Sequence, residues 1–259
     1  MLLVALLIAA TAPAAPNVAA VTNAGPFFAL TFDAHAETNG AEQLLALLRA
    51  RRVRATIFVT GRFAQQHPEI VRLAAQDGHE IGNHTYNHPH LTTWELNHRH
   101  DTRPDVTEAR LHDELFRTAA AIAAAIGRPP SRFWRAPYGE HNSTIRAWAA
   151  KSGFVHVDWT RADGNALDAL DWVERPGARG FLGAEAMARR LIEFEAHTGV
   201  PLAGSIVLMH LGSARADLPL LEALPILLDE TDHRGLQPVP VGDLLDRGLA
   251  TGVAVAGSR

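Results

Sequence analysis

An α/β fold on a parallel sheet is what this sequence predicts, from three observations. Short apolar segments alternate with stretches of helical periodicity, several of the apolar segments end on a polar side chain, and nothing beyond the N-terminal stretch reads as linker, repeat or low complexity. Strands covered on both faces by helices appear as near-continuous apolar runs. Their alternation with helices implies crossover connections, the sheet being either wound open or closed as a barrel. At 259 residues the chain is long enough for a single barrel domain.

The first element is Pro26-Phe27-Phe28-Ala29-Leu30-Thr31-Phe32-Asp33, an apolar, aromatic run that delivers one carboxylate at its end. A helix over 41–52 follows. Asn39 can cap it, Leu44, Leu45, Leu47 and Leu48 have helical spacing, and Arg49, Arg51 and Arg52 suit its negative end. Residues 55–60 read as a second strand, 68–76 as a helix and 78–82 as a short third strand. Residues 89–105 are polar, rich in His and Arg and ended by Pro104, which predicts a long surface loop of the kind that often carries function. An Ala-rich helix starts at Val106 or Thr107 and runs to Ile126, stopped by Gly127 and Pro129-Pro130. Strands over 132–137, 154–159, 204–210 and 236–241 then alternate with helices over 143–152, 185–197 and 218–230, and a turn or helix begins at Gly242.

Composition removes several classes of function. A net charge of −4 with mixed signs leaves no basic footprint for nucleic acid. The chain has no Cys, hence no disulfide and no thiol to carry a lipid. Residues 1–20 contain no charged side chain and run from an apolar stretch to small residues ending Val18-Ala19-Ala20, which reads as an export signal ahead of a 21–259 barrel domain. The expected location is therefore periplasmic or secreted. Pro13 and Pro16 interrupt the apolar run short of a membrane span.

Barrels carry their chemistry at the carboxyl ends of the strands. Asp33, His84, Arg135, Asp158 and His210 all lie at or just beyond a predicted strand end. His84 and His88 stand four apart, and neutral imidazoles at that spacing can converge on one ion if the backbone is helical or tightly turned. The spacing alone equally fits two hydrogen-bonded histidines among the fourteen in the chain. Taken singly, Asp33 fits a helix cap and Arg135 with Asp158 a structural ion pair. Tyr138 and Trp159 fit core or rim aromatics, and His90, His98, His100 and His141 fit solvated positions.

In order along the chain, Thr31-Phe32-Asp33, His84-Thr85-Tyr86-Asn87-His88, Arg135-Ala136-Pro137-Tyr138, Asp158-Trp159 and Leu208-Met209-His210 resemble the five motifs of the polysaccharide deacetylase family. These are carbohydrate esterases related to chitin-oligosaccharide and peptidoglycan deacetylases. The resemblance spans about residues 27–241. It implies a distorted (β/α) barrel of about seven parallel strands in a single domain, and metal-assisted hydrolysis of an N- or O-acetyl group on a glycan. It also implies roles. His84 and His88 would hold a divalent ion, zinc or else cobalt, and Asp33 would be the general base. Arg135, oriented by Asp158, would hold Asp33 ionised. The Tyr138 N–H, on a turn fixed by Pro137, would meet the oxyanion. His210 would be the general acid, Leu208 would wall the acetyl-methyl pocket, and Thr85 would brace the His loop.

The sequence departs from the family pattern at one position. Asp33 is followed by Ala34, where the commonest motif has a second aspartate as third metal ligand. His35 is the expected substitute, with Glu37 behind it. The other outcomes are two imidazoles completed by water, or a silent barrel that binds glycan without turnover. A metal-dependent amidase acting on a small non-sugar amide is a further reading. Asp163 competes with Asp158 as the partner of Arg135, and Asp158 is preferred because it ends an apolar strand.

Overall fold

The computed structural model describes residues 15–249. Its sheet has eight strands, all paired in parallel. The first six are β1 (Asn17–Val18), β2 (Phe27–Ala34), β3 (Thr56–Val59), β4 (Glu80–Asn83), β5 (Phe133–Trp134) and β6 (Val155–Val157). A separate antiparallel hairpin, β7 (Arg161–Ala162) and β8 (Asn165–Ala166), precedes β9 (Ile206–His210) and β10 (Gln237–Val239). The order is β1-β6-β5-β4-β3-β2-β10, with β9 also on β2. Near the two ends of the curled sheet, the residues after β1 and before β9 meet in an isolated bridge, Ala20 to Ser205, rather than a full ladder, and the segment after β8 bridges to β9 through Asp168 and Leu208. This is the distorted barrel expected from the motifs.

The helices pack outside it because their apolar stripes have nowhere else to go. They are α1 (Ala41–Ala50), α2 (Gly61–Gln66), α3 (Pro68–Gln76), α4 (Trp94–Asn97), α5 (Glu108–Ile126), α6 (Ser143–Lys151), α7 (Ala184–Ile192), α8 (Phe194–Thr198), α9 (Pro219–His233) and α10 (Val241–Leu249). In α1 Leu44, Leu45 and Leu48 are buried against β2, whose Phe28, Leu30 and Phe32 belong to the same core. Asn39 does not cap α1. Gly40 holds the N-cap position at φ 85°, and Asn39 Nδ2 donates to the Arg215 carbonyl at 3.2 Å instead. The Thr107 hydroxyl caps α5 by accepting from Arg110 N–H, and Gly127 at φ 74° ends it in the left-handed conformation that glycine adopts without cost. The segment 185–197 breaks at Glu193 into α7 and α8. The loop 89–105 contains α4 and is pinched by a Thr92–Thr102 bridge.

Residues 1–14 of the expected export segment lie outside the described residues, but its last part folds. Val18 is 2 % exposed and its carbonyl accepts from Asp158 N–H at 2.8 Å, while Ala19 accepts from the Thr160 hydroxyl at 2.6 Å. The Asn17 side-chain oxygen meets His156 Nδ1 at 2.7 Å. These contacts support the strand that ends at Asp158. A chain beginning at Val21 is expected to be less stable than one beginning at Ala15 by about 3 kcal/mol, from one buried valine and several hydrogen bonds. In thermal unfolding that is a drop of about 6–12 °C, and equal melting points would show that β1 contributes nothing.

Candidate active site

The strand register brings the motif residues to one rim. In the β2–β9 pairing Asp33 stands opposite His210. His84 leaves β4 with its N–H on the Val59 carbonyl at 3.0 Å, and Arg135 leaves β5 with its N–H on the Asn83 carbonyl at 2.9 Å. A cavity of about 560 Å³ opens there, with Asp33, His35, His84, His88, Tyr138 and His210 in its wall and Leu208 beside them.

Asp33 is 5 % exposed, and its Oδ1 accepts from Arg135 Nη1 at 2.9 Å. Burial by itself would raise its pKa. The Arg135 guanidinium, followed by His84 and His210, outweighs that and holds the carboxyl below its usual range. Arg135 is fully buried over the face of Phe58, with Nε on the Val157 carbonyl at 3.2 Å and Nη2 on the Asp158 carbonyl at 3.1 Å. Asp158 thus orients Arg135 through its main chain, not through its carboxylate as the motif reading supposed. Its carboxylate is taken by His141 Nε2 at 3.0 Å and by its neighbour's N–H, from Trp159, at 3.0 Å, with Arg161 at 3.5 Å. Asp163 lies in the exposed β7–β8 turn.

His210 has a partner that sequence reasoning missed. Asp171 Oδ1 lies 2.8 Å from His210 Nδ1, and Asp171 Oδ2 accepts the His210 N–H at 2.8 Å. Asp168 bridges to Leu208 in parallel, so the next residues of both segments advance together and bring Asp171 beside His210. Burial would lower the His210 pKa, but the charge and hydrogen bond of Asp171, with Asp33 and Asp168 beyond, raise it to about 9.

His84 Nδ1 lies 2.9 Å from the Arg135 carbonyl. A carbonyl only accepts, so Nδ1 carries the proton and Nε2 is left bare, 3.5 Å from Asp33 Oδ2. Burial lowers the His84 pKa to about 4, and burial with the neighbouring imidazoles keeps His88 neutral. Their rings are 4.8 Å apart at 69°.

The family model for polysaccharide deacetylases matches residues 20–157. A chitooligosaccharide deacetylase of Bradyrhizobium sp. (strain ANU 289) is 30 % identical over 225 residues, covering 83 % of this chain and 89 % of the relative. The chain belongs to the polysaccharide deacetylase family. A peptidoglycan-N-acetylglucosamine deacetylase of Bacillus cereus is 33 % identical over 144 residues, 56 % of this chain and 46 % of the relative. In fold, this family member superposes with a TM-score of 0.71 on a solved peptidoglycan N-acetylglucosamine deacetylase, at 24 % identity over 88 % of this chain and 92 % of that one.

Where this polysaccharide deacetylase departs from the motif, Ala34 is 1 % exposed and packed in the hydrophobic core, so that position presents no donor. His35 turns onto the cavity rim, stacked on His88 at 4.6 Å and 20° and edge-on to His210 at 6.3 Å. Glu37 is exposed and does not line the cavity. The structure brings His35, His84 and His88 to one wall, but among the described residues no three His, Cys, Asp or Glu side chains converge as a finished ion cage. Two desolvated, neutral imidazoles, one with its lone pair freed by a second hydrogen bond, and a third imidazole in contact are a donor set that fits a divalent ion.

Two glutamates brace the site unannounced by the motifs. Glu114 of α5, 4 % exposed, accepts from Tyr86 N–H and Asn87 N–H, each at 2.8 Å, and from Asn87 Nδ2 at 2.6 Å. It therefore holds the His84–His88 loop. Thr85, expected in that role, ties the loop through its main chain, its N–H donating to Asn83 Oδ1 at 2.9 Å and its carbonyl accepting from Gly61 N–H at 3.0 Å, while its buried hydroxyl has no partner among the described residues. Glu114 follows Leu111 by three on the buried stripe of α5, a polar residue out of pattern and so the available signal. Glu140 likewise receives His90 Nδ1 at 2.7 Å. His90, still partly exposed, and His141 are accordingly each bound to a buried carboxylate rather than free in solvent as their loops suggest.

Proposed function

We propose that this polysaccharide deacetylase removes N-acetyl groups from chitin-type or peptidoglycan glycans outside the cytoplasm, with Asp33 as general base and His210 as general acid. One observation carries the reading. On the paired strands β2 and β9 stand a carboxylate held ionised and an imidazole held protonated, opposite each other on the wall of one cavity. Two titratable groups driven apart in this way match a base and an acid working at one pH. The names of the relatives support the substrate class.

Asp33 would take the proton of the attacking water, and Arg135, fixed by two carbonyls, would keep the carboxylate aimed and ionised. The Tyr138 N–H, which has no partner among the described residues, would donate to the developing oxyanion. His210 would protonate the departing amine, and Leu208 would enclose the acetyl methyl. His84 and His88, with His35 as third donor, would hold a divalent ion, zinc or cobalt, which when bound supplies Lewis-acid polarisation of the carbonyl and acidification of the water. Export would cleave the chain upstream of Asn17, since β1 is part of the barrel.

Acetate release from N-acetylglucosamine oligomers and peptidoglycan, with zinc or cobalt and with chelator, tests the reaction. Glycan binding without acetate under either metal would favour the silent barrel. In a zinc competition titration His84→Ala is expected to weaken binding by at least about 100-fold and His35→Ala by about 10–100-fold. Unchanged affinity in His35→Ala would leave the third position to water.

A further inference from the structure

We propose that Glu140 is a positioning residue that fixes the oxyanion turn against the loop 89–105, an inference that rests on the role given to Tyr138 above. Glu140 is 1 % exposed and, among the described residues, carries no guanidinium or ammonium partner. Its carboxylate is spent on three donors from one loop: Leu91 N–H at 3.0 Å and Thr92 N–H at 2.9 Å on Oε2, and His90 Nδ1 at 2.7 Å on Oε1. The bonds tie two segments about fifty residues apart in the chain.

The tie continues into the site. His90 lies flat on the Tyr138 ring, centroids 4.1 Å apart at 6°, and the Tyr138 ring in turn meets His88 edge-on at 4.5 Å and 68°. Tyr138 is itself at φ 58°, ψ 10°, a left-handed conformation that a bulky residue holds only when its surroundings impose it. The next residue, Gly139, is also left-handed at φ 66°, and a Cβ there would lie 2.7 Å from the Trp159 ring. The backbone on one side of Tyr138 is thus clamped by Trp159, and its side chain is clamped through His90 by Glu140. Removing the carboxylate leaves the His90 ring tethered only through Nε2, 3.4 Å from the exposed Glu95 carboxylate, and so loosens the stacking that holds the turn and aims the Tyr138 N–H. The same three bonds anchor the loop that brings Trp94 and Glu95 to the cavity wall.

Glu140→Gln and Glu140→Ala test this. An amide has one accepting oxygen, which the Leu91 and Thr92 N–H groups claim, leaving its NH₂ facing His90 Nδ1. In ¹⁵N spectra of the imidazoles the Nδ1-bound proton of His90, present in the parent, is expected to be lost in Glu140→Gln. On N-acetylglucosamine tetramer, kcat is expected to fall about tenfold in Glu140→Gln and about 100-fold in Glu140→Ala, with KM within about threefold of the parent. Leu228→Ala, in the core of α9, is the control for stability alone: a lower melting point with kcat unchanged. The proposal is overturned if Glu140→Gln keeps the parental kcat, if the loss lies in KM, or if His90 keeps its Nδ1 proton. Should the parent release no acetate, the functional reading fails, while the His90 spectrum still decides whether the tie exists. Should Glu140→Ala not fold, Glu140→Gln carries the test.

Discussion

Replacing Asp33 by asparagine is expected to lower acetate release about 10²–10⁴-fold while the protein stays folded. Asparagine keeps an oxygen for Arg135 Nη1, which donates to Asp33 Oδ1 at 2.9 Å, but it cannot accept a proton from water. Alanine is a different experiment. It leaves a fully buried guanidinium without its anion, and breaking a buried pair from one side costs about 3–5 kcal/mol. Melting curves and acetate assays on both variants separate chemistry from stability, and an active Asp33→Asn would exclude Asp33 as the base. The pH sign follows from the lowered pKa. The pair contributes stability above the ordinary carboxylate value of 3.8 and loses it as pH falls through the lower value of the folded state.

Asp171→Asn is expected to move the alkaline limit of activity. His210 is raised to about 9 from 6.5 against a burial effect that acts the other way, and Asp171 is the largest of the groups that raise it. Without that carboxylate the pKa falls from about 9, because burial is then opposed only by the charges of Asp33 and Asp168. With His210 as the proposed general acid, active while protonated, kcat/KM of the parent is expected to decline only as pH rises through about 9. The variant's decline is expected to set in at lower pH, so that its kcat/KM at pH 8 falls several-fold below the parental value while most of the difference vanishes near pH 5. A pH–rate profile that does not move would remove Asp171 from the mechanism. Stability runs in the same direction: the raised pKa contributes about 3 kcal/mol below pH 6.5, lost as pH rises through about 9.

The motif residues were legible because strands end where barrels keep their chemistry. Asp33, His84, Arg135 and His210 could each be placed at a strand end from apolar runs alone, and all four meet at one cavity or directly beneath it. The helices 41–52, 68–76 and 143–152 were legible for the same reason: a stripe of apolar side chains has one face to bury. Helix α2 was not, since Gly61–Gln66 is short and follows its strand without a turn signal, its start marked only by the Thr60 cap. Strand β1 was not legible either, because two residues inside an apolar, small-residue segment look alike whether exported or folded.

The sequence by itself determined the alternation of strands and helices, the order of the five motifs and the loss of a carboxylate at Ala34. These depend on residue type and spacing, which are local. Only the tertiary structure decided which groups act on one another. Asp171 reaches His210 through a single parallel bridge, Glu114 and Glu140 fold buried carboxylates onto distant loops, and Asp158 turns its carbonyl rather than its carboxylate to Arg135. Such pairings join segments far apart in the chain, and apart from Glu114, which interrupts the apolar stripe of α5, a carboxylate buried for its hydrogen bonds has the same local signature as one left in water.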